Sequence, residues 1–576
     1  MNAERLLALF EEISEAPDAI PRLRRFILDL AVRGKLVEQD PEDESAEELL
    51  GRISYEKVRM ARAGEIRKPK QLPEIDEAPF MVPLNWTWCR IREATSDRAQ
   101  KVPGERFTYI DVGAINKEAG IISEPAILNP SDAPSRARKI VKKGDVIYSC
   151  VRPYLLNIAI VDFDFDPEPI ASTAFAVLYG HELVLPRYLW IVLRSPFIVK
   201  CVEECQRGQA YPAINDAEFS LLPFPLPPLA EQHRIVDKVD ELMALCDQLE
   251  AARMQREQCR ERLVAASLQR LNQPSDEPEA FRSDARFALQ VLPSLTSTPA
   301  QIKQLRQTIL NLAVRGKLVE QDAEDYIEGL LKKVQEDQRK AFASGAIKKP
   351  VLLSRLHEDR PFAIPPQWDW MPFGSLVVQG PQNGISPKET AKLDAPKALT
   401  LAATTTGKLR PDFFKAVDLK PEQAMPYRLA KGDLLFQRGN TREYVGMAAI
   451  YDIQPGKYIF PDLMIRVRLS DNLCLAYVHL ALTSPPLRDY FSAMATGSSE
   501  TMPKINQGIL CDAPIPLPPL AEQHRIVAKV DELMAICDQL EQQLSQGEQS
   551  RLRLLEAVLR EVLVEPRADL ALVEMA

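Results

Sequence analysis

The chain says nearly the same thing twice, and this duplication restricts its fold more than any other feature. Residues 226–250 read LPPLAEQHRIVDKVDELMALCDQLE, and residues 517–541 read LPPLAEQHRIVAKVDELMAICDQLE; only Asp237/Ala528 and Leu245/Ile536 differ. Upstream, ILDLAVRGKLVEQD at 27–40 returns as ILNLAVRGKLVEQD at 309–322, differing only at Asp29/Asn311. Two long stretches, 83–225 and 365–516, lie between these copies and match each other poorly. Repeated frames around dissimilar inserts point to one scaffold that presents two different heads.

The longer repeat opens with a Pro-rich strip that cannot be helix interior. From Ala230 a helical pattern begins. Ile235, Val239, Leu242, Cys246 and Leu249 follow the 4-3-4-3 spacing of a coiled-coil seam, and Ile526, Val530, Leu533, Cys537 and Leu540 repeat it. Helix-compatible sequence runs on to Leu271 and Leu563, and about 40 residues of helix span roughly 60 Å. The shorter repeat also reads as helix, with Leu23, Phe26, Ile27 and Leu30 on one face and Leu305, Ile309 and Leu312 in the copy. Gly34 and Gly316 stand where a left-handed stop is expected. The Pro-, Ser- and Asp-rich stretch 272–299 reads as a loop leading into the 302–315 helix. The distal long helix has no such successor, so the N-terminal helix is expected to fill that place and bring the chain ends together.

The inserts share a skeleton beneath their divergence. Each begins with a Trp-x-Trp element (Trp86/Trp88 and Trp368/Trp370), which reads as core. Each has a Lys-Gly-Asp turn feeding an apolar run, at Lys143–Asp145 and Lys431–Asp433, and each ends on Pro-x-Ile-Asn, at 212–215 and 503–506. Runs such as VIYSCV and LMIRVRL read as strands, and RYLWIVLRSPFIVKCVEEC and AYVHLALTSPPLRDYFSAM as helices interrupted at Pro. The expected fold is α+β: two homologous mixed α/β domains separated by long antiparallel coiled-coil helices in a pseudo-two-fold cyclic arrangement. Its expected parts are an N-terminal helical segment (1–50), a first variable domain (83–225), a central repeated helical region (226–322), a second variable domain (365–516) and a distal repeated helical region (517–565).

Length and charge narrow the function. A chain of 576 residues implies about three to five packing units. It has no membrane-length apolar run and no secretory pattern at its start, so a cytoplasmic protein with no membrane partner is expected. The cysteines lack a CxxC pair and read as reduced thiols, with no metal site. Net charge is −9, which disfavours indiscriminate coating of nucleic acid. Its distribution is uneven: the inserts hold 16 basic and 17 acidic residues (83–225) and 16 and 14 (365–516), leaving the frame at −10. No phosphate-binding GxxxxGK[ST] loop occurs, and the Asn/Asp-Pro-Pro-aromatic signature of amino-methyltransferases is missing. A solvated acidic loop accounts for Asp162, Asp164 and Asp166, and a structural role for His233 and His524. No catalytic residue and no cofactor are assigned.

At PLPPLAEQHRIVAKVDEL, with AVRGKLV upstream and unlike inserts between, the chain resembles the specificity subunit of type I DNA restriction–modification systems, nearly end to end (Leu23 to Leu563). That resemblance implies two target recognition domains, each reading half of a split, asymmetric site in double-stranded DNA. It also implies repeated helices that space the domains and bind two methyltransferase subunits, with restriction/translocase subunits joining through the complex. Half-sites one helical turn apart need centres about 34 Å apart. Other functions for such a duplicated chain are a coiled-coil scaffold, or a fused-dimer DNA-binding regulator acting without a methyltransferase.

Candidate DNA contacts begin with the basic run 135–144, containing Arg136, Arg138, Lys139, Lys142 and Lys143, which suits phosphate positioning or a solvated loop. Arg152, Arg438 and Arg442 follow the Lys-Gly-Asp strands, where guanidinium groups can address guanine edges or form structural ion pairs. Lys431 lies in the second such turn. Gln209, Tyr211 and Lys504 lie in or beside the Pro-x-Ile-Asn elements, where they contact DNA or pack. The ten seam residues are the candidates for coiled-coil and partner contacts: the seam is expected to pair internally with the AVRGKLV helices, leaving the outer face of the long helices for the methyltransferase.

Overall fold

The computed structural model describes residues 16, 18–66, 71–208, 211–272, 277–322, 324–347, 361–392, 394–497 and 502–563. The chain forms two compact units, Met1–Arg256 with Glu548–Ala576, and Glu257–Gly547. The long helices are Leu229–Asn272 and Leu520–Leu563, 44 residues each. Each begins in one unit and ends in the other, so each unit is completed by a helix end from the opposite half of the sequence.

In the first unit, the helix Ala19–Val32 lays Leu23, Ile27 and Leu28 against Ile235, Val239 and Cys246 of the long helix, in one core with the variable domain. Arg24 pairs with Asp247 and Glu250 beside this contact. The second unit repeats the device: Ile302 and Ile309 of Pro299–Val314 pack with Ile526, Val530 and Cys537, and Arg306 pairs with Asp538 and Glu541. The end of the distal helix does meet the N-terminal helix: Leu555 packs with Ala16 and Ala19, and Arg22 pairs with Glu556.

Stretch 272–299 departs from expectation, since Pro278–Leu295 is a helix. Phe281, Ala285, Ala288, Leu292 and Leu295 repeat at 4-3-4-3 spacing and cover Val264, Leu268, Leu271 and Leu312. The apolar stripe outweighs the Pro- and Ser-rich composition, and Pro278 sits at the first turn, where its missing N–H is harmless. Two further helices, Ala46–Arg62 and Glu328–Ala343, follow the short repeats. The first is held by a capping box from Ser45 to Glu48 and extends past the expected limit of the N-terminal segment.

Both variable domains are mixed α/β. The first has a five-stranded sheet in the order Phe175–Leu178, Val146–Ser149, Ile158–Ile160, Ile121–Ile122, Ile115–Asn116, and a four-stranded sheet in the order Ala126–Leu128, Phe107–Ile110, Pro169–Ser172, Ala137–Ile140. The second has a four-stranded sheet (Val377–Asn383, Met464–Leu469, Asp433–Gln437, Ala448–Tyr451) and a three-stranded one (Phe414–Ala416, Lys397–Leu399, Tyr458–Ile459). The paired helices break where Pro was expected to break them, after Ser195 and Ser484.

A strand pair closes each domain onto its long helix. Trp88 lies opposite Pro225, and Trp370 opposite Pro516. Proline donates no hydrogen bond, so such strands belong at a sheet edge. Here Tyr188 and Tyr477 donate their hydroxyls to the carbonyls of Pro225 and Pro516, at 2.8 and 2.7 Å. The buried Glu231 accepts from Trp86 Nε1 at 2.9 Å and Gln39 at 2.6 Å; Glu522 accepts from Trp368 at 2.9 Å and Gln321 at 2.7 Å. Gly34 and Gly316 are left-handed (φ 64° and 65°), and a Cβ on either would lie 2.4 Å from Pro83 or Pro365. No helix among the described residues is long and apolar enough to cross a membrane.

Candidate nucleic-acid interface

The Lys-Gly-Asp turns set the start of the strand that leads into each candidate site. Gly144 and Gly432 take φ of 87° and 90°, a conformation open to glycine without steric cost. The Asp that follows is buried and caps its own turn: Asp145 accepts from the Lys142 N–H and Asp433 from the Ala430 N–H, both at 2.8 Å. Arg98 binds Asp145 at 3.0 and 2.9 Å, and Arg468 binds Asp433 at 2.5 Å. Burial drives the Asp145 pKa up against the pull of Arg98. These ion pairs are structural, and they anchor the strands Val146–Ser149 and Asp433–Gln437.

At the far ends of these strands the two domains build the same main-chain junction. In the first, the Ile214 N–H donates to the Cys150 carbonyl at 3.0 Å and the Arg152 N–H to the Pro212 carbonyl at 2.8 Å; Ala213 bridges both Val151 and Arg207. In the second, the Ile505 N–H donates to Arg438 at 2.9 Å and the Asn440 N–H to Pro503 at 3.3 Å; Lys504 bridges both Gly439 and Thr496. Asn215 and Asn506 then cap short helices by accepting from the N–H groups of Glu218 and Ile509, each at 2.8 Å. This superposition by hydrogen bonds makes Cys150 the counterpart of Arg438, Arg152 of Asn440, Ala213 of Lys504 and Arg207 of Thr496. The frame is shared and the side chains are not.

The structure brings Arg152 and Tyr211 together, with the guanidinium 4.7 Å from the ring centroid and the tyrosine 68% exposed. Arg438 and Lys504 lie on adjoining backbone at the second junction, and Arg442 is exposed beside it, donating to the Ser492 carbonyl at 2.8 Å. Gln209 lies outside the described residues.

The basic run 135–144 is not one surface. Lys139 is 4% exposed and pairs with Asp216 at 3.0 Å, which corrects its expected role as a phosphate contact. The strand Ala137–Ile140 alternates buried and half-buried residues, and this period-two alternation turns Lys139 inward while its neighbour Arg138 stays partly in solvent. Arg136 is exposed at the junction end, where its carbonyl receives the Thr173 N–H at 2.8 Å, and Arg138 is half-buried. Lys142 and Lys143 are exposed in the turn before Val146–Ser149, at the opposite end of that strand from Arg152. Lys431 occupies the same place in the second domain, away from Arg438 and Lys504.

The seam residues face inward. Ile235, Val239, Cys246, Ile526, Val530 and Cys537 are buried in the unit cores, and Leu242, Leu249, Leu533 and Leu540 pack partly buried against them. The six buried residues are therefore intramolecular packing against the short repeated helices and are closed to a separate partner. The Lys-Gly-Asp and Pro-x-Ile-Asn elements mark the two halves of the shared junction in the sequence, but its bridging pairs, such as Arg207 with Ala213, meet only through folding. Arg207 is an exposed cation there, bound to Glu218.

Comparison with known proteins adds an independent line. The family model for the type I restriction modification DNA specificity domain matches residues 92–256 and 382–547. The chain is 32% identical over 567 residues to the type I restriction enzyme EcoEI specificity subunit of Escherichia coli, covering 94% of this chain and 93% of that protein. It is 31% identical over 569 residues to the EcoAI specificity subunit of the same species, with the same coverage. Among solved structures, the HsdS subunit from Thermoanaerobacter tengcongensis is similar at 24% identity and a TM-score of 0.47, covering 85% of this chain and 99% of that one.

Proposed function

This chain belongs to the type I restriction–modification DNA specificity subunits, and on that premise we propose how it divides its recognition task. It is a DNA-recognition component, and the scaffold and free-regulator alternatives are not favoured by its family. Each variable domain reads one half of a split, asymmetric site in double-stranded DNA, through side chains displayed at the main-chain junction after Val146–Ser149 or Asp433–Gln437. The repeated frame spaces the domains and offers two equivalent surfaces to two methyltransferase subunits; identical partners require equivalent docking surfaces. Methyl transfer, translocation and cleavage belong to those subunits and to the restriction subunits that join them.

One observation carries this reading. Two junctions with the same hydrogen-bonded backbone present Arg152 and Ala213 in one domain, and Asn440 and Lys504 at the equivalent points of the other. Equal scaffolds with unequal displays are what two different target sequences demand, since base edges are read by side chains and phosphates by position.

The test is co-expression with type I methyltransferase subunits and base-resolution mapping of N6-methyladenine. The expected result is a motif of two unlike halves around a fixed unspecified gap. A continuous or palindromic motif, or an assembled complex that methylates nothing, would overturn the reading.

A further inference from the structure

The two junctions differ in chemistry as well as in sequence. After Val146–Ser149 the first domain turns through Arg152-Pro153-Tyr154-Leu155-Leu156, and both ends of this turn are left-handed without glycine, Arg152 at φ 49° and Leu156 at φ 52°. Such backbone persists where its surroundings over-determine it, and it clusters at binding sites. Here the buried Pro153 pins the turn, with the Leu155 N–H donating to Arg152 at 3.0 Å and the Leu156 N–H to Pro153 at 2.9 Å. The result is that Tyr154 is held 51% exposed, near the junction where Tyr211 is 68% exposed under the Arg152 guanidinium. Among the described residues Arg152 forms no ion pair. Tyr154 and Tyr211 thus offer two exposed phenol rings to solvent beside a guanidinium that stacks on one of them.

The second domain makes the corresponding turn with Asn440-Thr441-Arg442-Glu443-Tyr444. Arg442 stands near the place of Tyr154, its guanidinium aimed by the carbonyls of Ser492 (2.8 Å) and Gly497 (3.4 Å). Lys504 is exposed on the adjoining bridge, and Tyr444 is half-buried. Cations replace rings.

We propose that the two half-sites are gripped by different forces: Tyr154 and Tyr211 stack on nucleobases at the first, whereas Arg442 and Lys504 pair with phosphates at the second. The proposal rests on the DNA-recognition reading above and assigns Tyr154 a contact of its own. An aromatic side chain enters duplex DNA as a wedge at a base step, and it releases no counterions. A cation on a phosphate does release them, so its contribution falls with added salt.

The full chain assembled with its methyltransferase subunits, on a duplex bearing the mapped motif, provides the test, with Kd measured across a salt series. Replacing both tyrosines (Tyr154→Ala with Tyr211→Ala) is expected to weaken binding about tenfold or more while the slope of log Kd against log salt stays unchanged. Tyr154→Phe with Tyr211→Phe should restore affinity, because the ring is kept. Arg442→Gln with Lys504→Gln should instead reduce the slope by about two, one per lost phosphate contact. Wild-type affinity in the alanine pair, a reduced slope there, failure of phenylalanine to rescue, or an unchanged slope in the glutamine pair would each overturn the proposal. A wild-type complex with no sequence-specific binding would overturn the recognition role itself, which is a separate outcome.

Discussion

Glu231 and Glu522 perform the same task in the two units to within a tenth of an ångström, each binding a Trp indole and a Gln amide from elsewhere in its unit. Arg152 and Asn440 occupy equivalent points of an equivalent backbone and share nothing else. The molecule thus holds side chains constant where they build the frame and varies them where only the main chain is needed for structure. Gln232 and Gln523 belong to the constant set: both are buried and satisfy main-chain groups around the Pro-rich strip, with Gln232 accepting from Leu185 N–H at 2.9 Å and Gln523 from Cys474 N–H at 3.0 Å. Sequence identity in the repeats is therefore a record of buried polar contacts as much as of apolar packing.

The strongest way to break this comparison is to remove both carboxylates in turn. Glu231→Ala and Glu522→Ala each leave one buried indole N–H without a partner, at about 2 kcal/mol, and free a Gln amide that water can reach, at about 1 kcal/mol, so each variant should lose about 3 kcal/mol. Denaturant unfolding of the two variants should give equal losses; a difference of more than about 1 kcal/mol would mean the locks are not equivalent.

A smaller effect sharpens it. Lys57 and Gln338 occupy the same face of equivalent helices and bind the same kind of target: Lys57 donates to the carbonyls of Arg92 (2.6 Å), Glu93 and Thr95 (both 3.1 Å), and Gln338 to those of Gly374 (2.9 Å) and Val377 (3.0 Å). Burial, helped by the nearby Arg92, pushes the Lys57 ammonium down to about 8. Its folded pKa lies below its unfolded one, so the unfolded chain binds the extra proton between the two values. Stability from this group is complete above the unfolded pKa of about 10.5 and is lost as pH falls to about 8. Lys57→Gln should flatten that part of the stability profile, by at most about 3 kcal/mol. Parallel profiles for the variant and the natural chain would refute the assignment.

The smallest effect concerns the lone difference in the short repeat. Asp29 pairs with Arg33 at 2.9 Å, whereas Asn311 accepts from Arg315 at 3.1 Å and donates to Asn272 Oδ1 at 3.0 Å. Asp29→Asn removes one charge from a partly exposed pair and should cost about 0.5 kcal/mol. A Tm shift of several degrees would show that the pair carries more of the first unit than its exposure suggests.

Much of the frame was legible because its signals are local. The Ser195-Pro196 and Ser484-Pro485 breaks, the glycine stops at 34 and 316, and the inward seam from Ile235 to Leu249 depend on residues close in sequence. Pro278–Leu295 was not legible, because its stripe from Phe281 to Leu295 was outweighed by turn-forming neighbours until Val264 and Leu268 supplied a surface to cover. The basic run misled for a related reason: Lys139 looks identical to Lys142 in sequence, and only the strand pairing of Ala137–Ile140 turns one inward and leaves the other in solvent. The junction itself joins residues some 60 positions apart, such as Cys150 and Ile214, through main-chain groups that every residue possesses, so the Pro-x-Ile-Asn element shows in the sequence but the partner it bonds to does not.

That last property has an evolutionary consequence. A meeting point held by amide and carbonyl groups alone lets its visible atoms drift with little penalty to folding, so a single codon change can alter what the junction displays before selection acts on stability. Gly439 marks where this freedom stops. A Cβ there would press to 3.2 Å from the stem of Lys504 and the sulfur of Met502, so variation at that point requires its neighbours to change in step.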